Sequence, residues 1–105
     1  MDNIPGRVDL IMSLQRGLLG EAHAQLRMAS IQADPCSKVI RLRFEYDGEP
    51  SEEAHECSSR AATEVITDFL EPWQLDDQHI ACPAPARCVP LEHVVYWRHE
   101  GWGAA

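Results

Sequence analysis

The sequence predicts an α+β fold of order α-β-β-α-β-β, one four-stranded, mainly antiparallel sheet with two helices on one face. Three observations carry that expectation. Apolar residues recur at spacings of three and four near the start and again across 51–69, and Ile40, Leu42, Phe44 and Tyr46 alternate with Arg41, Arg43 and Glu45. Two amphipathic helices and a sheet with one wet face need each other to bury their apolar sides. The 105 residues are read as a single domain, 1–105.

The first helix is expected to begin near Pro5, which suits a first helical turn, with Asn3 as its cap. Val8, Ile11, Met12, Leu14, Leu18 and Leu19 are its apolar stripe, and Gly20 its stop, with Gly17 weakening the last turn. A short strand over 26–32 follows, then a loop over 33–37 and the clear strand 38–46. So short a connection predicts an antiparallel hairpin, and Asp47-Gly48 turns the chain out of it. The second helix covers 51–69. Ser51 is its N-cap and Glu52, Glu53 and Glu56 sit where the helix dipole favours negative charge. Ala54, Cys57, Ala61, Val65 and Phe69 form its core stripe, flanked by Ser58, Ala62 and Ile66, while Glu56, Arg60 and Glu64 follow one another on the outside. Two more strands are expected at 78–82 and 93–98, separated by a proline-rich loop carrying Pro83, Pro85 and Pro90. The last five residues, 101–105, read as a loose tail.

Charge narrows the function. Seventeen acids against nine bases give a formal charge of −8 and a pI near 4.9. Neutralising a phosphate backbone needs clustered Lys and Arg, so no nucleic-acid partner is expected. Between Glu45 and Asp77 there are eleven acids and one base, Arg60, so this segment carries −10 and the rest of the chain +2. A concentrated field of this kind steers a basic partner, or it simply keeps a solvated helix face soluble. No membrane contact is expected, because no apolar run reaches spanning length, and the first residues lack a secretion signal, so the cytoplasm is the expected compartment.

Catalytic signatures are missing, and no catalytic residue is assigned. The histidines, His23, His55, His79, His93 and His99, are scattered, and Ser13 and Ser58-Ser59 lie in helical context without a nucleophile elbow. The four cysteines, Cys36, Cys57, Cys82 and Cys88, lack the spacing of a zinc knuckle. A metal clamp at Cys82 and Cys88 is conceivable, yet no metal and no cofactor are assigned; Cys57 reads as a small core residue. Trp73, Tyr96, Trp97 and Trp102 gather in the C-terminal third. With Val94 and Tyr96 facing the helices, the other sheet face would hold Arg41, Arg43, Glu45, Val95, Trp97 and His99, a patch suited to a partner or a dimer mate.

The segments SLQRGLLGE (13–21), LRMASI (26–31), IRLRFEYDGEPSEE (40–53) and AATEVITDF (61–69) resemble small acidic immunity proteins of bacterial toxin–immunity loci, including contact-dependent growth inhibition and colicin-like systems. The resemblance covers roughly residues 13–69. It implies a non-catalytic protein that binds and neutralises one cognate toxin domain, often a basic nuclease. The acidic surface suits that task, and Glu49, Glu52, Glu53, Glu56, Glu64 and Asp68 are the expected interface, with Trp73, Asp76 and Asp77 adjoining. Two alternatives remain open at this point: a homodimeric structural or regulatory protein joined through the sheet face around Arg41, Arg43, Val95 and Trp97, and a metal- or redox-sensing domain built on Cys36, Cys82 and Cys88.

Overall fold

The computed structural model describes residues 4–100, so the expected Asn3 cap and the tail 101–105 lie outside it. The elements are α1 (Arg7–Gly17), β1 (Leu26–Asp34), β2 (Val39–Tyr46), α2 (Glu52–Thr67), β3 (Gln74–Ala81) and β4 (His93–Trp97). This is the expected order, α-β-β-α-β-β, as an α+β fold. The sheet order is β3-β2-β1-β4, with β1 antiparallel to β2 and to β4 and with β2 parallel to β3. No helix among the described residues is long and apolar enough to cross a membrane.

β1 and β2 form the anticipated hairpin. Cross-strand partners share a face, so Leu26/Tyr46, Ala29/Phe44, Ile31/Leu42 and Ala33/Ile40 line one side, and Met28/Glu45, Ser30/Arg43 and Gln32/Arg41 line the other. The first set is the floor of the core. Leu10 and Leu14 of α1 and its C-cap Leu18 close over it, together with Ala54, Ala61, Ala62 and Val65 of α2 and the buried ring of Trp73. Both helices thus lie on one face. Ala54, Ala61 and Ala62 of α2 are all buried in this core.

The stripe expected on α1 is corrected. Val8 is 71% exposed, Met12 46% and Leu19 78%, whereas Leu10, Ser13, Leu14 and Gly17 are buried. The helix is turned by its contact with α2. A Cβ on Gly17 would stand 2.8 Å from the Ala61 carbonyl oxygen, so this face must carry small residues, which hydrophobicity alone does not mark. Across the same joint the Ser13 hydroxyl donates to Asp68 at 2.6 Å. Gly6, not Asn3, stands at the N-cap, and its N–H donates to the Asp9 carboxylate at 3.2 Å.

Two further corrections concern the outer sheet face. β3 and β4 occupy opposite edges, so the chain between them crosses the sheet on the side away from the helices. This strap, 82–92, is fastened at every step. Ala84 N–H donates to Asp47, Val89 N–H to Glu45, Leu91 N–H to Ser30 Oγ and Glu92 N–H to Gln32. The supposedly wet face therefore buries Arg27, Ser30 and Glu45 beneath the strap. In β4 the register shifts opposite Ala29/Ser30, so Val94 partners Ser30 on the outer face while Val95 packs against the core, the reverse of the expected assignment. Trp97 partners Met28 and is outward, as expected, at 69% exposed.

Candidate partner-binding surface

The acidic stripe begins in the turn before α2. Gln25 holds that turn from the side: its Nε2 donates to the Glu49 carbonyl at 2.6 Å and its Oε1 accepts the Ser51 N–H at 2.9 Å. Ser51 Oγ in turn accepts the Ala54 N–H at 3.1 Å, the expected N-cap. With the helix start pinned and Ala54, Cys57, Ala61 and Val65 turned inward, Glu52, Glu53, Glu56 and Glu64 fall on the exposed arc. From Glu52 to Glu64 the stripe runs about 18 Å at 1.5 Å per residue. Its one cation is committed elsewhere: Arg60 holds Glu21 at 3.0 Å and reaches Glu56 only at 4.0 Å. The hydrogen bonds from Arg60 keep the Glu21 carboxyl below its ordinary value.

The remaining residues expected at the interface are placed differently. Asp68 caps the C-terminus of α2 and ties it to α1, accepting from Ser13 and, at 3.0 Å, from Arg16. Those bonds, Ser13 first, hold its carboxyl below the usual range. Trp73 is buried, with the Lys38 ammonium 5.6 Å from its ring centroid. Asp76 and Asp77 are adjacent on β3 and so point to opposite faces. Asp76 meets Arg41 on the outer side at 3.4 Å, and Asp77 accepts from His79 on the helix side at 2.8 Å. Of the eleven central acids, Glu45, Asp47, Asp68, Asp76 and Asp77 are engaged inside the fold. What faces water as a group is Glu49, Glu52, Glu53, Glu56 and Glu64, with Glu71 beyond them.

One turn past Glu64, Asp68 reaches the rim of a groove of about 780 Å³. Ile4, Val8 and Met12 from the start of the chain face Phe69, Leu70 and Trp73 across it, and Arg16, Asp9 and Glu71 add charge. Sequence reading missed this groove. The available signal was that Val8 and Met12 cannot share a helical stripe with Leu10 and Leu14, so one set had to remain outside.

Two clusters of reactive side chains were not legible in the sequence. His79 bridges Tyr46 Oη at 2.7 Å and Asp77 at 2.8 Å, and the ring of His55 of α2 lies against it, tilted by 30° with centroids 4.0 Å apart. With Nε2–H donating to Asp77, a neutral ring leaves Nδ1 to accept from the Tyr46 hydroxyl. Burial pushes that phenol up to about 12, and Tyr46 is fully enclosed, so the relay braces β2 against β3 and presents no hydroxyl to a substrate. On the opposite face, Glu45, Cys82 and Cys88 bring their ligand atoms within 4.8 Å of one another under the strap. Burial first, then the Cys82 thiol and the Glu45 charge, push the Cys88 thiol up to about 12. Cys36 lies exposed in the hairpin turn, and Cys57 is buried on α2 as expected of a core residue.

The model of one protein family, described as MafI2 immunity protein, matches residues 7–100, from the first residue of α1 through the end of the described chain. No curated protein matches the sequence.

Proposed function

The chain belongs to the MafI2 immunity protein family, and from that premise we propose that it neutralises a cognate toxin by binding it, without chemistry of its own. The toxin domain is basic, a nuclease being the class that best fits an acidic inhibitor, and the encounter is in the cytoplasm, where the four unpaired cysteines stay reduced. The observation that carries this reading is the split of the acidic segment. Five carboxylates are spent on internal bonds, while Glu49, Glu52, Glu53, Glu56 and Glu64 stand together on a rigid helix and its capped turn. Such a stripe accelerates encounter, and the neighbouring groove, with Asp68 and Trp73 in its wall, adds apolar area to hold the partner once it has arrived. Asp77, exposed on the helix side of β3, adds to this field, whereas Asp76 is spent on Arg41.

Lysine at Glu52, Glu53, Glu56 and Glu64 together is expected to slow association with the toxin domain at least about tenfold at low salt. The variant should also flatten the dependence of the on-rate on ionic strength. An association rate and salt slope equal to those of the wild type would overturn the acidic-stripe reading.

One observation favours a second reading, a homodimer. Trp97 and Val94 stand exposed on the outer face of β4, which is an edge strand. Size-exclusion chromatography with light scattering decides it. A dimer that dissociates in Trp97→Ser supports the self-interface, and a monomer at all concentrations ends it.

A further inference from the structure

We propose that Glu45, Cys82 and Cys88 form a binding site for one thiophilic divalent cation of the zinc class, which pins the strap to the outer face of the sheet. The three ligands come from β2 and from two points of the strap. Glu45 stands inside β2, Cys82 directly follows β3, and Cys88 lies in the strap. Their ligand atoms already lie within 4.8 Å of one another. Tetrahedral zinc with Zn–S bonds of about 2.3 Å sets its sulfurs about 3.8 Å apart, so the set closes on an ion with a movement of about 1 Å. Two sulfurs and one carboxylate oxygen are a donor set that zinc accepts and that magnesium or calcium does not favour.

Glu45 itself points to a ligand, independently of the thiols. It is only 2% exposed; its Oε2 accepts the Val89 N–H at 2.7 Å, but its Oε1 has no hydrogen-bond partner among the described residues. A buried carboxylate oxygen without a donor is costly, and a cation at this position removes the cost. Arg27 gives its Nε and Nη2 to Glu100, both at 2.9 Å, and its Nη1 to the carbonyls of Cys82 and Ala86, both at 2.7 Å. The same Nη1 lies 3.5 Å from Cys82 Sγ.

The frame around the ligands is built in advance. Cys82 N–H donates to the Tyr46 carbonyl at 2.7 Å, and Val89, next to Cys88, is held by its N–H to Glu45 and by its carbonyl from Arg43. On binding, each thiol gives up its proton to solvent as its sulfur ligates, so two protons leave per ion. Water completes the fourth position.

The test titrates the reduced, chelator-free full chain with cobalt and then displaces it with zinc. The expected result is one cobalt per chain, with a sulfur-to-cobalt charge-transfer band in the near ultraviolet. Cys82→Ser and Cys88→Ser each lose it, Cys36→Ser keeps it, and Glu45→Gln binds at least about tenfold more weakly. No band in the reduced wild type, or a band that survives in the Cys82→Ser/Cys88→Ser double variant, overturns the proposal. Should those variants fail to fold, alkylation of the wild type read by mass spectrometry still decides. Zinc must protect Cys82 and Cys88 while Cys36 reacts at an unchanged rate, and equal alkylation with and without zinc is the overturning result.

Discussion

Gly17 shows how much can rest on a residue that contributes no apolar surface. Its hydrogen faces the Ala61 carbonyl, and a methyl group there would meet that oxygen at 2.8 Å. Gly17→Ala is therefore expected to lose about 1–3 kcal/mol despite alanine's better helix propensity, because backbone on a packed helix cannot yield as a side chain can. Thermal unfolding should show a fall of several degrees, and an unchanged or raised midpoint would contradict the close joint. Arg27 and Glu100 make a second single-residue case, with side chains 4% and 7% exposed. Glu100→Ala removes the carboxylate that accepts two hydrogen bonds from the buried guanidinium and should cost about 3 kcal/mol in a urea melt. Neither position was legible in the sequence. Ser13 and Gly17 are polar or neutral, so hydrophobic spacing alone favours Val8, Met12 and Leu19 for the stripe. Burial of Glu45 has no signature in β2, which alternates as though its far side were wet, and burial of Arg27 comes from groups at positions 82, 86 and 100, far along the chain.

The elements with a strong internal period were legible, and those shaped by their neighbours were not. β2 alternates cleanly, and α2 carries a cap, an acidic first turn and a small-residue stripe, so both stand within a residue or two of where periodicity puts them. β3 begins at Gln74, four residues before the expected start at position 78, because its polar run is held by β2 and not by its own hydrophobicity. Arg41 pairs with Asp76, and Arg43 donates to Gln78 at 2.9 Å. Breaking one such rung should loosen the edge selectively. Arg43→Ala removes bonds to both Gln78 and the Val89 carbonyl, so hydrogen exchange should rise in β3 and the strap while β1 keeps its protection. A uniform rise over the sheet would argue against a separable edge. As for the candidate site, the helix stripe was legible as a charge run on a periodic helix. The groove was not, since its walls come from 4–16 and 68–73 and only the fold brings them together.

Across the whole molecule the acids divide into those that build the protein and those that face outward. Asp34, Asp47, Asp68 and Glu100 all titrate below their ordinary values. The Ser37 hydroxyl and Arg41 bring Asp34 to about 2, the Ala84 N–H and Arg98 lower Asp47, Ser13 and Arg16 lower Asp68, and Arg27 lowers Glu100. For each, the unfolded chain takes up its proton first as pH falls. Their stabilisation is complete above the ordinary carboxylate values of 3.8 and 4.5 and is lost as pH drops through the depressed ones. Urea midpoints should hold from neutral pH to about 5 and then decline steeply, with Asp68→Asn showing a shallower decline. A midpoint that rises on acidification would mean that relief of repulsion among the outward acids dominates. The strap has a consequence for how the chain comes into being. β1 lies between β2 and β4, yet β4 follows only after β3 and the crossing 82–92. On a ribosome, everything through Ala81 can emerge while one backbone edge of β1 is still without its neighbour. Arg27 is then without the carbonyls and the carboxylate that finally enclose it. A nascent chain stalled at that length presents an adhesive strand to its fellows, and emergence of the crossing and of β4, through Trp97, is the step that retires it.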